Sequence, residues 1–233
     1  MEVKIWSDVR CPFCYIGKKR FETALEQFPN RDQVEVVWKS FQLDPSLRTD
    51  PQANTLDYFV RTKGVSPAQA RQMFAGATEM AREEGLNFDL ENAIPANSFD
   101  AHRLIQLAKT KNLGNEIEEA LFRAHFEEGK NIDDPEILAA VAREAGIADQ
   151  EVRFVLNSEA FAAEVRQDEL EARKTGVRGV PFFVFEDRYA ISGAQPSEAF
   201  LETLEKAWAE HQKQHPSLEI SGGDSCAVDG SCD

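Results

Sequence analysis

The sequence has too few cationic residues for a protein that binds nucleic acid or an anionic membrane. Its 233 residues include 26 lysines and arginines but 41 aspartates and glutamates, which gives a formal net charge of −15. Both kinds of partner are negatively charged and are bound by a cationic protein surface. We therefore expect neither nucleic acid nor a membrane among the partners of this chain.

Long apolar runs are also missing. A membrane-spanning helix needs about 20 predominantly apolar residues, and a secretory signal needs a basic start followed by about 7–15 apolar residues. The chain begins instead with a strand-like pattern that carries charged residues from Glu2 onward. A signal removed before residue 1 is one explanation, but the initial Met1 favours the other, and we expect a cytoplasmic protein.

Cysteine is scarce, and its four copies form two close pairs, Cys11 with Cys14 and Cys226 with Cys232. A secreted domain held together by disulfides is usually shorter and richer in cysteine. In a reducing compartment, paired cysteines indicate either redox chemistry or a metal site. The choice between these two hypotheses decides the function of the chain.

Hydrophobic patterning predicts the fold class. The apolar content of 42% is enough for a buried core, and the length allows one or two domains. Strand patterns at residues 3–6 and 34–41 flank an amphipathic helix that follows the first cysteine pair, which predicts a βαβ unit. Helical patterns come next, and two short strands and a last helix follow them. We predict an α/β fold in which both ends of the chain form a mixed four-stranded sheet, interrupted by a large all-helical insertion.

Domain boundaries follow from the same patterns. We assign residues 1–43 and 175–215 to the domain that contains the sheet, and residues 44–174 to the inserted helical domain. Within the insertion, Ser66 and Asp134 each precede a proline, which is the pattern of a helix start. The final residues, 216–233, are rich in Ser, Gly and Asp and cannot build a core, so we predict a flexible tail that carries the second cysteine pair.

Cys11 and Cys14 lie at the predicted start of a helix, which is a suitable place for a redox pair. The first thiol there meets unpaired backbone N–H groups and the positive end of the helix dipole, and both favour the thiolate. Two intervening residues let the sulfurs close a small ring, and Pro12 suits the first helical turn. Four nearby cations, Arg10, Lys18, Lys19 and Arg20, are candidates to stabilise the thiolate further, but Lys18 to Arg20 fit a solvated helix face equally well.

Structural zinc is the main alternative for the cysteines. Four thiolates are a valid ligand set for a structural site. The spacing of Cys226 and Cys232 is wrong for a zinc knuckle, however, and no strand is predicted beside that pair. A cysteine pair in the turn between a strand and an amphipathic helix is typical of a redox motif. We therefore favour the redox reading and expect no bound metal.

Five runs of sequence together resemble the DsbA-like branch of the thioredoxin superfamily and, within it, the FrnE-like proteins. They span about residues 1–210, and the run that contains the Cys-Pro-Phe-Cys motif is quite specific. The resemblance implies a thioredoxin-like fold with an inserted helical domain, which agrees with the predicted order of elements. The runs are residues 7–17, 97–104, 121–132, 176–185 and 191–195.

The same resemblance implies a thiol–disulfide oxidoreductase and a role for each site residue. Cys11 is the exposed attacking thiol, Cys14 is its buried partner, and Pro181 is a cis-proline opposite the pair. The implied substrate-binding residues are Pro12, Phe13, Val180 and Pro181. The implied substrates are protein or peptide thiols and disulfides and small thiols, acted on by a monomer or homodimer without a resident cofactor. Glutathione is a candidate co-substrate.

Two other functions stay open. Kappa-class glutathione transferases and 2-hydroxychromene-2-carboxylate isomerases resemble this chain in layout, but they carry Ser at the position of Cys11 and use glutathione. A zinc-stabilised or chaperone-like binding module is the second alternative.

Three further features have two readings each. His102 and His125 lie in predicted helices of the insertion, and each either lines the crevice near Cys11 or has a structural role. The tail pair, Cys226 and Cys232, is a candidate second redox pair, because a tethered dithiol reaches the first pair at high effective concentration. Its alternative is an exposed pair without function.

Overall fold

Four strands form one sheet in the computed structural model, which describes residues 1–214. Along the sheet, the first strand pairs parallel with the second and antiparallel with the third, which pairs antiparallel with the fourth. The predicted α/β fold, with a mixed sheet built from both ends of the chain, is confirmed. In chain order the strands are β1 (Glu2–Ser7), β2 (Glu35–Ser40), β3 (Phe182–Phe185) and β4 (Tyr189–Ser192), and their order in the sheet is β2-β1-β3-β4.

Helices account for most of the remaining described chain, and seven of them lie between β2 and β3. This is the helical insertion that the sequence predicts, while its proposed boundaries at residues 44 and 174 stay predictions. The helices are α1 (Pro12–Gln27), α2 (Thr55–Lys63), α3 (Pro67–Glu83), α4 (Phe99–Lys109), α5 (Gly114–Phe126), α6 (Pro135–Glu144), α7 (Asp149–Leu156), α8 (Ala162–Thr175) and α9 (Ser197–Gln214).

Both faces of the sheet are buried, because successive residues of β1 point to opposite sides and helices cover each side. Val3 and Ile5 belong to the main core, together with aromatic residues of α1 and α9. Trp6 lies on the other face beside Ala172 of α8, and its indole N–H donates to the Asp168 carbonyl at 3.1 Å. The C-terminal end of β1, at Ser7, therefore lies next to the helical insertion. The first cysteine pair follows a few residues later in the chain.

Local capping signals place several helix starts correctly. Ser66 forms a capping box at the start of α3, and the Asp134 side chain accepts from the backbone N–H of Glu136 at the start of α6. The separate helix α2 was not predicted individually; the side chain of Asn54 caps its first turn. The first helix begins at Pro12, the residue expected in its first turn, so Cys11 is its N-cap residue.

Two sequence predictions fall outside the described residues. They are the flexible tail at residues 216–233 and the second redox pair, Cys226 and Cys232. Within residues 1–214, no helix is long and apolar enough to cross a membrane.

Candidate active site

The first cysteine pair lies where β1 leads into α1. Cys11 has extended backbone angles (φ −94°, ψ 112°), and its carbonyl accepts from the Cys14 N–H at 2.9 Å, which closes the first helical turn around Pro12. Both thiols are free. Backbone hydrogen bonds therefore fix the pair at the helix N-terminus, and neither sulfur is engaged in a disulfide.

The two cysteines differ in access, but less than predicted. Cys11 is 5% exposed and Cys14 is 1% exposed, so the expectation of an exposed Cys11 is wrong. The segment just before β3 covers Cys11, because the Val180 carbonyl oxygen lies 3.5 Å from the Cys11 Sγ. Cys11 nevertheless lines a cavity of about 370 Å³ that opens to solvent, together with Pro12 and Phe13. Its remaining access is through this cavity.

The peptide bond between Val180 and Pro181 is cis, and this turn precedes β3 directly beside Cys11. Gly17 of α1 permits the close approach, because a Cβ atom there would lie 3.0 Å from Pro181 Cγ. The structure thus brings Cys11, Val180 and Pro181 together, and Pro12 and Phe13 follow on the same helix.

Two buried polar side chains, those of Ser7 and Glu118, form a group next to Cys14. Ser7 Oγ donates to Glu118 Oε1 at 2.6 Å, although 111 residues separate them in the chain. The Ser7 side chain also contacts the Cys14 thiol. Burial, followed by the neighbouring Cys11, raises the pKa of Cys14 well above its ordinary value. Burial likewise raises the pKa of Glu118, against the opposing hydrogen bond from Ser7.

A second buried pair adjoins this group. Asp8 is fully buried, and its Oδ1 lies 3.6 Å from Nε2 of the buried His102. Burial works against both charges, yet the contact between them prevails, so the pKa of Asp8 is lowered and that of His102 is raised. His102 therefore has a structural and electrostatic role at the base of the site and does not line the cavity. His125, by contrast, does line it.

The cations of α1 are paired with carboxylates. Lys18 is only 1% exposed and lies 2.5 Å from Glu22 and 2.6 Å from Glu119, and Lys19 lies 2.7 Å from Glu119. Both readings from the sequence are thus wrong for Lys18, because it is buried and its charge is neutralised by neighbours other than the thiols.

Comparison with known proteins identifies the family. A model of the DsbA-like thioredoxin domain matches residues 2–205. The chain belongs to the DsbA-like thioredoxin-domain family. The Bacillus subtilis protein YwbO, which is uncharacterised, is 30% identical over 216 residues, covering 92% of this chain and 98% of YwbO.

Solved structures share the fold of this DsbA-like protein. A probable DsbA oxidoreductase from Streptomyces coelicolor is 40% identical, with a TM-score of 0.85, covering 100% of this chain and 98% of that one. A 2-hydroxychromene-2-carboxylate isomerase (TM-score 0.65, 94% and 100% covered) and the cytosolic disulfide reductase DsbM from Pseudomonas aeruginosa with glutathione (TM-score 0.61, 93% and 100% covered) are each 17% identical. At that identity the likeness shows the fold alone.

Residues 1–214 of this DsbA-like protein contain no cluster of candidate metal ligands. No three His, Cys, Asp or Glu side chains in that part of the chain are grouped as metal ligands. The four-thiolate zinc site would need Cys226 and Cys232, which the structure does not describe, so that alternative stays untested.

Sequence reasoning missed the residues that reach the site from the helical insertion. Glu118 of α5 meets Ser7, and Tyr58 of α2 accepts a hydrogen bond from Arg10 at 3.2 Å. The available signal was Glu118, a glutamate at a buried position of α5, since a charged residue is rarely buried without a partner.

Gly17→Ala is expected to destabilise the contact between α1 and the cis-proline turn. The new methyl group would meet Pro181 at 3.0 Å, and packed interiors resist added atoms. Gly76→Ala is the matched control, because that glycine of α3 has open space around it and gains the same helix propensity. We expect the free energy of unfolding to be lower for Gly17→Ala than for Gly76→Ala by about 1–3 kcal/mol in urea titrations. Equal free energies of unfolding for the two variants would show that Pro181 moves aside for the new methyl group at no cost.

Proposed function

We propose that the protein is a thiol–disulfide oxidoreductase that exchanges disulfides with protein or small-thiol substrates through Cys11 and Cys14. One observation carries the proposal: a free Cys11 that lines an open cavity beside the Val180 carbonyl, with a free and more deeply buried Cys14 one helical turn away. The 40% identical Streptomyces coelicolor protein, described as a probable DsbA oxidoreductase, supports it.

The proposed reaction has two exchange steps. The Cys11 thiolate attacks one sulfur of a substrate disulfide, so that a Cys11–substrate disulfide forms and the other substrate sulfur leaves as a thiolate. Cys14, as a thiolate, then attacks the Cys11 sulfur, which releases the second substrate thiolate and leaves a Cys11–Cys14 disulfide. Two electrons pass from the protein dithiol to the substrate, and the reverse sequence oxidises a substrate dithiol.

The second step requires a base, because burial makes Cys14 a weak acid. We assign that role to Glu118 acting through Ser7, which contacts the Cys14 thiol and donates to Glu118 at 2.6 Å. The Cys14 proton passes to Ser7 Oγ while the Ser7 proton passes to Glu118. The carboxylate becomes a carboxylic acid, and Cys14 becomes the attacking thiolate. A carboxylate whose pKa is raised by burial accepts this proton more readily than an exposed one.

Substrate backbone is proposed to lie along the turn at Val180 and Pro181, with Pro12 and Phe13 on the opposite side of the sulfur. The Val180 carbonyl, which Cys11 Sγ contacts in the free protein, becomes available to a substrate N–H once that sulfur is engaged. We also propose membership of the FrnE-like proteins and a cytoplasmic location, both from the sequence features described above. A relay through Cys226 and Cys232 stays a prediction.

The purified protein is expected to catalyse the reduction of insulin disulfides by a small dithiol, followed as turbidity from the released chains. Elemental analysis of the same sample tests the metal alternative, since one tightly bound zinc per chain would favour a structural site. Tight glutathione binding without any disulfide reductase activity would instead favour a transferase or isomerase, and either result would contradict the proposal.

A further inference from the structure

The backbone of Asp8 holds both members of the first cysteine pair. Its carbonyl accepts from the Cys11 N–H at 2.8 Å, and its own N–H donates a hydrogen bond to the Cys14 sulfur. Burial raises the pKa of Cys14, and the Asp8 N–H acts against that rise, because a donated hydrogen bond stabilises a thiolate. The position of this backbone therefore affects how readily Cys14 becomes the resolving thiolate.

The side chain of Asp8 fixes the position of that backbone. It is completely buried, and its oxygens accept from the backbone N–H groups of Arg10 at 3.2 Å and Leu43 at 2.7 Å. Leu43 belongs to the segment that follows β2, so the carboxylate joins this segment to the turn before α1. A buried carboxylate is costly unless a cation lies beside it. The structure must therefore supply a counter-ion for Asp8.

His102 of α4 provides the nearest cationic side chain. Its Nε2 lies 3.6 Å from Asp8 Oδ1, and no lysine or arginine side-chain nitrogen within residues 1–214 lies within 4.0 Å of this carboxylate. The same Nε2 carries a hydrogen, because it contacts the Phe41 carbonyl at 3.1 Å and a carbonyl only accepts. Burial lowers the pKa of His102, but the contact with Asp8 outweighs burial and raises it, so the ring keeps its proton to a higher pH than an ordinary histidine.

The charges of Asp8 and His102 have opposite effects on Glu118. Burial has the largest effect on the pKa of Glu118 and raises it; His102 lowers that pKa, and Asp8 raises it. While the ring is protonated, the two charges offset each other. Once the ring is neutral, the Asp8 carboxylate remains as an unpaired charge close to the proposed base and to Cys14, where it opposes a second negative charge. The other charged or titratable groups that face these side chains are Arg10, Lys18, His125 and Glu169.

We propose that His102 is a positioning residue for disulfide exchange: as an imidazolium it holds the Asp8 carboxylate in place and keeps it from opposing the negative charge that forms on Cys14. The inference rests on the proposed function, because only the resolving step uses a Cys14 thiolate. His102 takes no part in the proton transfer itself. The Cys14 proton still passes through Ser7 to Glu118.

His102→Gln removes the charge while keeping the hydrogen bond. The amide N–H of glutamine can replace the donor to the Phe41 carbonyl, but glutamine cannot carry a positive charge. We expect the mixed disulfide of this variant with a short peptide thiol to resolve about tenfold more slowly at pH 7, and the rise of the resolving rate with pH to move up by about one unit. Rapid mixing with acid quenching measures both.

His211→Gln is the matched control, because it removes an imidazole from another carboxylate. His211 Nδ1 lies 3.0 Å from Glu186 Oε2, and His211 belongs to α9, away from the residues that surround the cysteine pair. We expect the lifetime of the mixed disulfide and its pH dependence to stay as in the wild-type protein. A change as large as that of His102→Gln would overturn the proposal, since the loss of any paired histidine would then suffice.

A double variant separates charge from packing. In Asp8→Asn/His102→Gln both charges are absent, so no unpaired carboxylate remains next to the site. We expect the resolving rate and its pH profile to return to within about threefold of the wild-type values, because the two substitutions are coupled. A histidine needed only for packing predicts the reverse, since the second substitution would add to the damage of the first. A double variant that resolves more slowly than His102→Gln alone would therefore overturn the proposal.

Nuclear magnetic resonance of the full-length wild-type protein tests the pairing without relying on turnover. The ring nitrogen shifts of His102, assigned by their absence in His102→Gln, report the protonation of the ring across pH. We expect the wild-type ring to lose its proton above pH 6.5, the ordinary value, and at a lower pH in Asp8→Asn. A wild-type ring that loses its proton below pH 6.5 would overturn the proposal.

The outcomes separate this inference from the proposed function. Wild-type exchange together with an unchanged mixed-disulfide lifetime in His102→Gln would overturn the inference and leave the proposed function intact. A ring titration that depends on Asp8, in a protein that exchanges no disulfide at all, would support the contact between the two side chains and contradict the proposed function.

Discussion

Cys11→Ser is expected to abolish disulfide reduction, and Cys14→Ser is expected to stop the reaction after its first step. Without the Cys11 thiolate no substrate disulfide can be attacked, so turnover should fall by about a thousandfold or more. Without Cys14 the mixed disulfide on Cys11 has no resolving thiol beside it, and it should accumulate. The deeper burial of Cys14, at 1% exposure against 5%, is the reason for assigning the two roles in this order.

Mass spectrometry under non-reducing conditions measures the trapped species. After one equivalent of a peptide disulfide is added, Cys14→Ser should carry the mass of one peptide thiol on Cys11, and Cys11→Ser should carry none. A variant with both Cys226 and Cys232 replaced by Ser is the control, since it keeps the first pair and should still form the Cys11–Cys14 disulfide. Trapping on Cys14 in the Cys11→Ser variant would reverse the assignment.

Glu118→Gln is expected to slow the resolving step by about 100-fold, because a positioned general base contributes about 10²–10⁴-fold. The amide oxygen can still accept the Ser7 hydrogen bond, so the geometry is kept while the proton acceptor is lost. In the wild-type protein the carboxylate is the active form, so the resolving rate should rise as pH increases through the raised pKa of Glu118. That rise should be missing in the variant.

Rapid mixing with a peptide disulfide, followed by acid quenching, gives the lifetime of the mixed disulfide at each pH. Glu116→Gln is the matched control, because Glu116 is exposed on the same helix and should leave the lifetime and its pH dependence unchanged. Ser7→Ala should lengthen the lifetime as well, since it removes the link between Cys14 and Glu118. If Glu118→Gln resolved at the wild-type rate, Cys14 would lose its proton by another path.

The order of most elements and the position of the first cysteine pair followed from the sequence alone. Helix starts depend on signals within one turn, such as Ser66 with Gln69 or Asp134 before Pro135, and these were read correctly. Strand patterns at both ends of the chain identified a mixed sheet for the same reason: alternation and β-branched residues are local properties. Cys11 at the start of α1 followed directly from those two predictions.

Tertiary packing decided what surrounds the sulfurs. The contact of Ser7 with Glu118 joins residues far apart in the chain, and Arg10 meets His125 in one cavity wall only because α5 packs against the start of α1. Lys18 shows the same limit, since a lysine on an amphipathic helix reads as solvated until α5 supplies Glu119 beside it. Residues this far apart in the chain produce no recognisable spacing pattern, so the sequence does not show that they are in contact. The sequence therefore determined that a thiol pair sits at a helix N-terminus, and only the packing of the insertion decided how deeply Cys11 is covered and which buried side chains lie next to the two sulfurs.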